Sequence, residues 1–389
     1  GLPAGGARHR LSHSVSLDWR ASLCRQARPS AQSLRAPRGA RRRLRLASNN
    51  SFFGVVSAQR FPSRPSARLA LLGAALFVWV GLLTPAPGHA QDETATTRIE
   101  FLKYGSMATT VALSEDGQYV AIGTRNVPGR GSQVVLWNRF MQERVQSASF
   151  PTNRAPTVAF DSAGTRLAIA PRQSNVRLWH LDDGGSTTPR SSPPAARDVT
   201  FGRQGVLGVG TPAPQSGVRV WPDGPEAAPS VLPTGTAVQS LSFARTTPTV
   251  AFPSGPTQVT VWNYRFNTTK RFDTFEQCSG TVRRVALSPS ADAVHVITER
   301  RASCDPDYLC TLNAKSGALM TRVRRKNVSN LEPLSEGRVA FSRGRYVYTL
   351  DLATRQEEIV FHSDNDIKDL SYADGELAIA NSDVVILDL

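Results

Sequence analysis

The sequence has few of the residues on which enzymatic and metal sites most often depend. Four cysteines and six histidines occur among its 389 residues, and only three of the histidines lie beyond residue 90. It contains no paired CxxC motifs, no Gly-x-Ser-x-Gly segment, no phosphate-binding loop and no zinc-hydrolase motif. We therefore assign no catalytic, cofactor-binding or metal-binding residue.

Aromatic residues are also few, at 7% of the chain, whereas glycine and proline are plentiful, at 29 and 26 residues. This composition favours many short elements joined by turns over a helical bundle. Because 40% of the residues are hydrophobic, the chain can still bury a large core. Wholesale disorder is therefore excluded.

Acidic residues are nearly missing from the N-terminal part of the chain. Residues 1–90 contain 14 arginines, no lysine and one acid, Asp18, whereas residues 91–389 contain 32 basic and 30 acidic residues. The net charge of +15 thus belongs almost wholly to the first 90 residues. For the remainder we accordingly expect no nucleic-acid partner.

Residues 60–90 have the three parts of an export signal peptide: a basic stretch, a 15-residue apolar run and a Pro/Gly-containing end. The small residues Gly88 and Ala90 suit a signal peptidase, so we expect cleavage after Ala90 and a new N-terminus at Gln91. The alternative is an uncleaved anchor, although a membrane span needs about 20 apolar residues. Uncleaved, this segment would be the chain's contact with a membrane.

Residues 1–59 are predicted to be a disordered leader, either non-native or a targeting sequence. The chain begins with glycine, and its first methionine is Met107, inside a repeated region. We expect either a fragment or a non-methionine start, for which Val55 and Val56 would give a bacterial signal. The predicted location is the bacterial periplasm or cell surface. The alternative is the thylakoid lumen or another organelle compartment, reached through a bipartite leader.

Seven copies of one pattern follow from residue 107. Each copy opens with a short alternating strand that closes on a large residue, at intervals of 38 to 47 residues. These closing residues are Leu113, Phe160, Phe201, Phe243, Leu287, Leu334 and Tyr372. A second marker ends each third strand, and four of the six tryptophans occupy it. The second markers are Trp137, Trp179, Trp221, Trp262, Leu312, Leu350 and Leu387.

Glycine-containing turns separate the first and second strands of five copies, with the sequences SEDG, DSAG, GRQG, SEG and ADG. Glycine accepts the positive φ of such turns, which other residues resist. A turn and a fourth strand follow the third strand, so each copy is predicted to be a four-stranded antiparallel meander. A single meander has two faces to cover, and a closed ring of copies buries both.

The two ends of the repeated region are predicted to complete each other. The seventh copy stops after its third strand, and residues 97–104 form one extra strand before the first copy. We expect this strand to pair with residues 384–389 and to complete the seventh blade. The predicted fold is thus all-β, a seven-bladed β-propeller of four-stranded antiparallel blades over residues 97–389, preceded by a short linker at 91–96.

The repeat resembles the WD40 family of β-propellers in its period near 42, its closing tryptophan and its split closing blade. It departs from the family at the position after tryptophan, where the family has aspartate and this chain has Asn138, His180, Pro222 and Asn263. In addition, no Gly-His dipeptide opens a blade. The family's buried Asp/His/Ser/Trp network is therefore largely missing, and apolar packing has to contribute more to each blade. The sequence is similar to a divergent, exported, bacterial-type relative.

The few cysteines and histidines are given structural roles. Cys278 in the connection between blades four and five and Cys304 in a loop of blade five are predicted on one face, so a Cys278–Cys304 disulfide is favoured. A Cys304–Cys310 bridge is the alternative. His295 alternates with valines and is interpreted as a packed residue, and the acidic segment 364–369 as a solvated loop without calcium-loop spacing.

The same face is predicted to carry nine basic residues, together with acids that make its positive bias a mild one. These are Arg125, Arg130, Arg172, Arg300, Arg301, Arg325, Lys326, Arg343 and Arg345. Because arginine binds carboxylates through a planar fork of donors, this rim favours an acidic protein partner. An ordinary solvated rim is the alternative interpretation.

Two functions remain open on this reasoning. The favoured one is a non-catalytic, monomeric, exported scaffold that binds a protein partner through this face. The alternative is a propeller enzyme, of the lactonase, hydrolase or cofactor-dependent dehydrogenase type, with a site at the mouth of the central channel. Converging carboxylates or histidines with a bound metal would favour the enzyme, since the fold alone does not decide.

Overall fold

Twenty-eight short strands make up nearly all the regular structure in residues 96–100, 107–127, 131–299 and 307–389, which a computed structural model describes. The predicted leader and signal segment lie outside these residues. The strands form seven four-stranded sheets in which every pairing is antiparallel. None of the helices in the described residues is long and apolar enough to cross a membrane.

The first four blades follow the chain in simple meander order. Blade 1 consists of β2 (Met107–Leu113), β3 (Tyr119–Val127), β4 (Gly131–Asn138) and β5 (Glu143–Phe150). Blade 2 consists of β6 (Thr157–Phe160), β7 (Arg166–Ala170), β8 (Arg177–His180) and β9 (Ser186–Thr187). Blade 3 consists of β10 (Asp198–Phe201), β11 (Leu207–Thr211), β12 (Gly217–Trp221) and β13 (Ser230–Pro233). Blade 4 consists of β14 (Ser242–Phe243), β15 (Thr249–Pro253), β16 (Gln258–Asn263) and β17 (Thr268–Asp273).

The last three blades include the one that joins the two ends of the chain. Blade 5 consists of β18 (Thr281–Leu287), β19 (Ala293–Glu299), β20 (Asp307–Asn313) and β21 (Leu319–Arg325). Blade 6 consists of β22 (Val328–Pro333), β23 (Arg338–Arg343), β24 (Tyr346–Asp351) and β25 (Glu357–His362). Blade 7 consists of β26 (Asp369–Ala373), β27 (Glu376–Ala380), β28 (Val384–Asp388) and β1 (Thr96–Ile99). A single helical turn, α1 (Phe275–Cys278), precedes blade 5.

The apolar core is divided among the interfaces between blades. Seven clusters of buried side chains occur in the described residues, and each lies between two consecutive blades around the ring. Trp221 and Trp262, two of the repeated tryptophans, are almost completely buried in two of these layers. Each blade thus buries its two apolar faces against its two neighbours, as the repeat predicts.

The predicted closure of the ring is confirmed. β1 pairs with β28, with Arg98 opposite Val385 and Ile99 opposite Val384. Ile99 is buried in the layer between blades 7 and 1, and the Arg98 Nη2 atom lies 2.7 Å from the Asp383 Oδ2 atom. The observed strand begins at Thr96, and residues 101–104 of the longer predicted strand lie outside the described residues.

Local conformation agrees with most of the predicted turns. Four of the five glycines in the turns after the first strands have positive φ, whereas Gly337 does not. The expected closing residue of blade 6 is wrong by one position, because β22 ends at Pro333, which pairs with Val339. Leu334 already belongs to the turn. The apolar pattern points to Leu334 because this turn residue is also buried, in the layer between blades 6 and 7.

In four of the seven blades, the residue that follows the third-strand marker stabilises the next turn. The Oδ1 atoms of Asn138 and Asn263 each accept a backbone N–H three residues ahead, at 3.0 and 3.1 Å. Asn313 and Asp351 accept backbone N–H groups at the same place in blades 5 and 6. Where asparagine replaces aspartate after tryptophan, at Asn138 and Asn263, this local role therefore remains in place.

The cysteine pairing in the structure is neither of the two predicted ones. Cys278 is bonded to Cys310, with 6.1 Å between their Cα atoms. Both side chains are fully buried in the layer between blades 4 and 5, where α1 brings Cys278 against β20. The pairing follows because the Cys310 side chain points from β20 into this layer, where Cys278 also lies. Cys304 lies outside the described residues.

The ring closure provides a test of the fold. Replacing Ile99 by alanine removes buried apolar volume from the layer between blades 7 and 1, and we expect a loss of about 2–4 kcal/mol in the free energy of unfolding. Replacing Arg98 by alanine removes an ion pair whose arginine side chain is 61% exposed, so we expect a loss below about 1 kcal/mol. Urea denaturation measures both. An equal or larger effect at Arg98 would contradict the packing of β1.

Candidate functional site

The central channel is lined by the innermost strand of every blade. Because each innermost strand pairs on one side only, its other edge faces the channel and exposes backbone N–H and C=O groups without a strand partner. The channel encloses about 380 Å³, and its lining runs from Glu115 and Arg203 at one end to Asp198 and Asp369 at the other. We call the face with the connections between blades and the loops between second and third strands the loop face.

One repeat position supplies the polar side chains nearest the loop face. It lies three residues before the last paired large residue of each innermost strand. Its occupants around the ring are Thr110, Thr157, Asp198, Ser240, Arg284, Asn330 and Asp369. We call this set the channel column. Except at Arg284, its side chains are short.

Three members of the channel column bind backbone N–H groups on the next blade's free edge. The Asp198 Oδ2 atom accepts a hydrogen bond from the Leu241 N–H at 2.7 Å, and the Ser240 Oγ atom accepts one from the Val285 N–H at 3.1 Å. The Asp369 Oδ2 atom accepts one from the Val111 N–H at 3.2 Å, across the closure between blades 7 and 1.

Two further residues of the channel column bind backbone C=O groups instead of N–H groups. Thr110 and Thr157 donate their hydroxyl groups to the backbone oxygens of Pro156 and Arg197, at 2.7 and 3.3 Å. Five of the seven column residues therefore hydrogen bond to backbone at the next innermost strand or directly before it. These bonds satisfy edge groups that the sheet leaves open.

Arg284 is the one long side chain of the column, and three carboxyl groups lie within its electrostatic reach. Burial raises the pKa of Asp198 and of Asp369 to about 6 in each case, and Arg284 opposes both shifts. Burial raises the pKa of Glu332 to about 8, Asp369 raises it further, and Arg245 and Arg284 lower it. All three carboxyl groups line the channel. Compared with exposed carboxyl groups, these three therefore keep their protons up to a pH closer to neutral.

At the loop face the channel adjoins a mouth of about 500 Å³ whose charges are mainly positive. Its six basic residues are Arg125, Arg154, Arg172, Arg197, Arg284 and Lys368. The acids among its lining residues are Asp198 and Asp369. They lie at the channel end of the mouth, where each accepts a backbone hydrogen bond.

A side cleft of about 350 Å³ at this mouth collects three of the arginines. Arg154, Arg172 and Arg197 line it with Asn153 and Gln173. Burial lowers the pKa of Arg172, and the positive charges of Arg197 and Arg154 lower it further. None of the three guanidinium groups forms an ion pair or hydrogen bond with another described residue. Positive charge is thus concentrated here without a bound carboxylate.

The predicted basic rim is only partly gathered at the mouth. Arg125 and Arg172 line it, whereas Arg130, Arg300 and Arg301 lie outside the described residues. The remaining four, Arg325, Lys326, Arg343 and Arg345, lie on the loop-face side of blades 5 and 6, away from the mouth's lining residues.

Two of these four are engaged within their own blades. The Arg325 Nη2 atom lies 2.9 Å from the Glu357 Oε1 atom, and the Arg343 guanidinium lies 5.9 Å from the centre of the Tyr348 ring. Arg325 ends the outermost strand of blade 5 and Arg343 the second strand of blade 6, and neither lines the mouth.

Sequence reasoning missed the residues that dominate the channel, namely Asp198, Arg284, Glu332 and Asp369. Asp369 was grouped with a solvated acidic loop, yet it is half-buried at the start of β26. A signal was present: the residue before each apolar triplet is polar in the sequences TVAL, TVAF, DVTF, SLSF, RVAL and DLSY. Aligning the copies on this position reveals the channel column.

The histidine interpretation agrees with the structure. His295 is fully buried, and its Nδ1 atom lies 3.1 Å from the Thr311 Oγ1 atom. Burial lowers the pKa of His295 to about 4, so the ring is neutral at pH 7. In the part of the chain that the structure describes, no three His, Cys, Asp or Glu side chains are grouped so that they could hold a metal ion.

Comparison with known proteins gives a likeness of structure without one of sequence. No protein-family model and no curated protein matches the chain. The solved WD40 repeats of RRP9 match it with a TM-score of 0.60 at 14% identity, over 76% of this chain and 98% of theirs. The structure of U3-55K matches with a TM-score of 0.59 at 14% identity, over 76% and 98%. The Cps50 (Swd1) propeller domain of Myceliophteria thermophila matches at 0.57 and 13%, over 76% and 100%.

The chain has the WD40 β-propeller fold. Its seven blades, its split closing blade and its tryptophan layers all agree with the resemblance drawn from the repeat. At 13–14% identity the likeness is one of fold. What this WD40 propeller binds has to be argued from its own channel and loop face.

The raised pKa of Glu332 predicts how stability changes with pH. The folded state holds a proton on Glu332 up to about pH 8, whereas the unfolded state releases it near pH 4.5. Above pH 4.5 the unfolded state binds fewer protons, so this group lowers stability as the pH rises towards 8.

Replacing Glu332 by glutamine should therefore stabilise the WD40 propeller more at pH 8.5 than at pH 5, by about 1–3 kcal/mol after allowance for solvent screening. Urea denaturation at both pH values measures the difference. The exposed Glu115→Gln variant is the control. A Glu332→Gln gain that is the same at both pH values would contradict the buried, protonated carboxyl group.

Proposed function

We propose that this chain is a non-catalytic scaffold that binds an acidic protein partner at the loop-face mouth of its channel. The observation that carries the proposal is the charge of the mouth, where six basic residues stand against two acids. Both acids already accept hydrogen bonds from neighbouring blades. The excess of positive charge at the mouth is therefore available to bind acidic groups of a partner.

The mouth is also built for contact with a folded or extended partner. Arg125, Arg154, Gln239 and Lys368 are exposed; Arg125 lies in β3, and the other three lie in connections before blades 2, 4 and 7. Lys368 makes a loose contact with Asp366 at 3.7 Å, which leaves its charge largely available. A convergence of exposed cations from rigid elements steers acidic partners towards the surface and favours their binding over that of basic ones.

A photo-crosslinking experiment tests the docking face. We expect a photoreactive residue at Gln239, in the mouth, to crosslink to a partner when the full chain is produced in its native host. The same residue at Glu115, exposed at the opposite end of the channel, should give no such product. Mass spectrometry identifies the crosslinked proteins at both positions.

Charge variants add a matched comparison. Combining Arg125→Glu with Lys368→Glu should reduce the Gln239 crosslink at least about tenfold, because it reverses two charges of the mouth. A variant with Arg265→Glu, in a turn of the opposite face, should leave it unchanged. Crosslinks formed mainly from Glu115, or unaffected by the mouth variants, would contradict the proposal.

We further propose that the chain is exported and acts as a monomer. The Cys278–Cys310 disulfide supports export, because disulfides persist in oxidising compartments. We expect N-terminal sequencing of the native protein to begin at Gln91, after removal of the signal segment. A native protein that retains residues 1–50 would contradict this assignment.

A second candidate function is an enzyme with its site in the channel. Three carboxyl groups with raised pKa values, those of Asp198, Glu332 and Asp369, favour it, because such groups occur at acid–base sites. The scaffold is preferred because the bonds of both aspartates to backbone N–H groups already explain their positions. Hydrolysis of an ester or lactone by the purified chain, lost in Asp369→Asn, would favour the enzyme instead.

A further inference from the structure

The strongest unassigned feature of the molecule is the side cleft lined by Arg154, Arg172 and Arg197. The three residues come from separate segments around the loop-face end of blade 2. Arg154 lies in the connection from blade 1, Arg172 in the loop between β7 and β8, and Arg197 directly before β10. Their meeting is thus a product of the fold and not of a charged run in the sequence.

The cleft differs from the other basic places on this face in what surrounds it. Arg284 has Asp198 and Asp369 within electrostatic reach, Lys368 contacts Asp366, and Arg325 is paired with Glu357. The guanidinium groups of the cleft form no ion pair with a described carboxylate, although Asp198 lies within electrostatic reach of Arg172. Burial lowers the pKa of Arg172, and the neighbouring positive charges of Arg197 and Arg154 lower it further.

The donor count of the cleft points to a particular class of anion. Each guanidinium presents five N–H donors in a fixed fork, and Asn153 and Gln173 add amide groups. A single carboxylate carries one charge and two oxygens, too few for three such forks. A phosphate monoester carries about −1.5 to −2 charge at pH 7 and three strong acceptor oxygens, which suit several arginines at once.

We propose that the cleft of Arg154, Arg172 and Arg197 binds a phosphate monoester carried on a peptide segment of the docking partner. This inference rests on the proposed docking function of the loop face and specifies its chemistry. At about 350 Å³ the open cleft has room for the phosphate group together with the chain that bears it. The adjoining mouth supplies cations for acidic residues beside the phosphorylated one.

The test measures binding of three short peptides to the full chain by fluorescence anisotropy. The peptides are identical except for phosphoserine, serine or glutamate at the central position. We expect the phosphoserine peptide to bind at least about tenfold more tightly than either of the others, and inorganic phosphate to compete with it. Raising the salt concentration should weaken the binding.

The variants separate a binding role from a structural one. Arg172→Gln should weaken phosphoserine-peptide binding at least about tenfold without lowering the melting temperature, since it relieves repulsion. Arg154→Gln should weaken binding as well. Arg172→Lys, which keeps the charge, should retain part of the affinity. Arg265→Gln, which removes one exposed positive charge from the opposite face, should leave the affinity unchanged.

Several results would overturn the proposal. Equal affinity for the glutamate and phosphoserine peptides would refute the preference for phosphate, yet would leave docking of an acidic partner intact. Binding of inorganic phosphate alone, with no gain from phosphoserine in the peptide, would refute the partner as its source. Equal effects of Arg172→Gln and Arg265→Gln would refute the cleft as the site. Failure of the docking function itself would appear separately, as loss of the Gln239 crosslink.

Discussion

A propeller has to satisfy the free edge of every innermost strand, and the rest of this structure depends on how it does so. The free edges of these strands face a channel too narrow for another strand. The hydrogen-bond partners of the edge N–H and C=O groups are therefore side chains. Short polar residues of the channel column supply them from the preceding blade, as Asp198 and Ser240 do. The same device closes the ring at Asp369, where it supplements the pairing of β1 with β28.

Most of the fold was predictable from the sequence because its main determinant is periodic and apolar. The repeated closing residues and tryptophans mark the layers between blades, and the incomplete seventh copy predicts the strand exchange that β1 makes. Where a buried apolar residue lies just beyond the strand, the pattern failed. β22 ends at Pro333, but Leu334 in the following turn is buried in the layer between blades 6 and 7, and a hydrophobic pattern does not separate the two positions.

The candidate site was less predictable, because it depends on distances from the ring axis. Loop order places Arg172 and Arg325 on the same face, but Arg325 ends an outer strand and pairs with Glu357, whereas Arg172 reaches the mouth. The channel acids were overlooked because an acid before an apolar triplet resembles a loop residue in sequence. The cysteine pairing likewise depended on which face of β20 carries Cys310.

The arrangement of charge along the channel axis gives the mouth its direction. Exposed cations stand at the loop-face rim, Asp198, Asp369 and Arg284 lie together at the channel end of the mouth, and Glu332 lies further in. An anionic group is therefore attracted to the rim, and the ionised carboxylates of Asp198 and Asp369 oppose its entry into the channel. This distribution favours binding at the surface over passage into the channel, and it suits a partner that docks and is held at the mouth.

The fold depends on few requirements per blade, which explains why it is kept at 13–14% identity to solved WD40 propellers. Every blade has apolar layers, most have a short polar residue at the channel, and four have a residue such as Asn138 that stabilises the outer turn. Several residue types meet each requirement, so the fold forms without the family's buried Asp/His/Ser/Trp network. The arginines of the side cleft belong to none of these sets, so the fold leaves their identity to be set by binding.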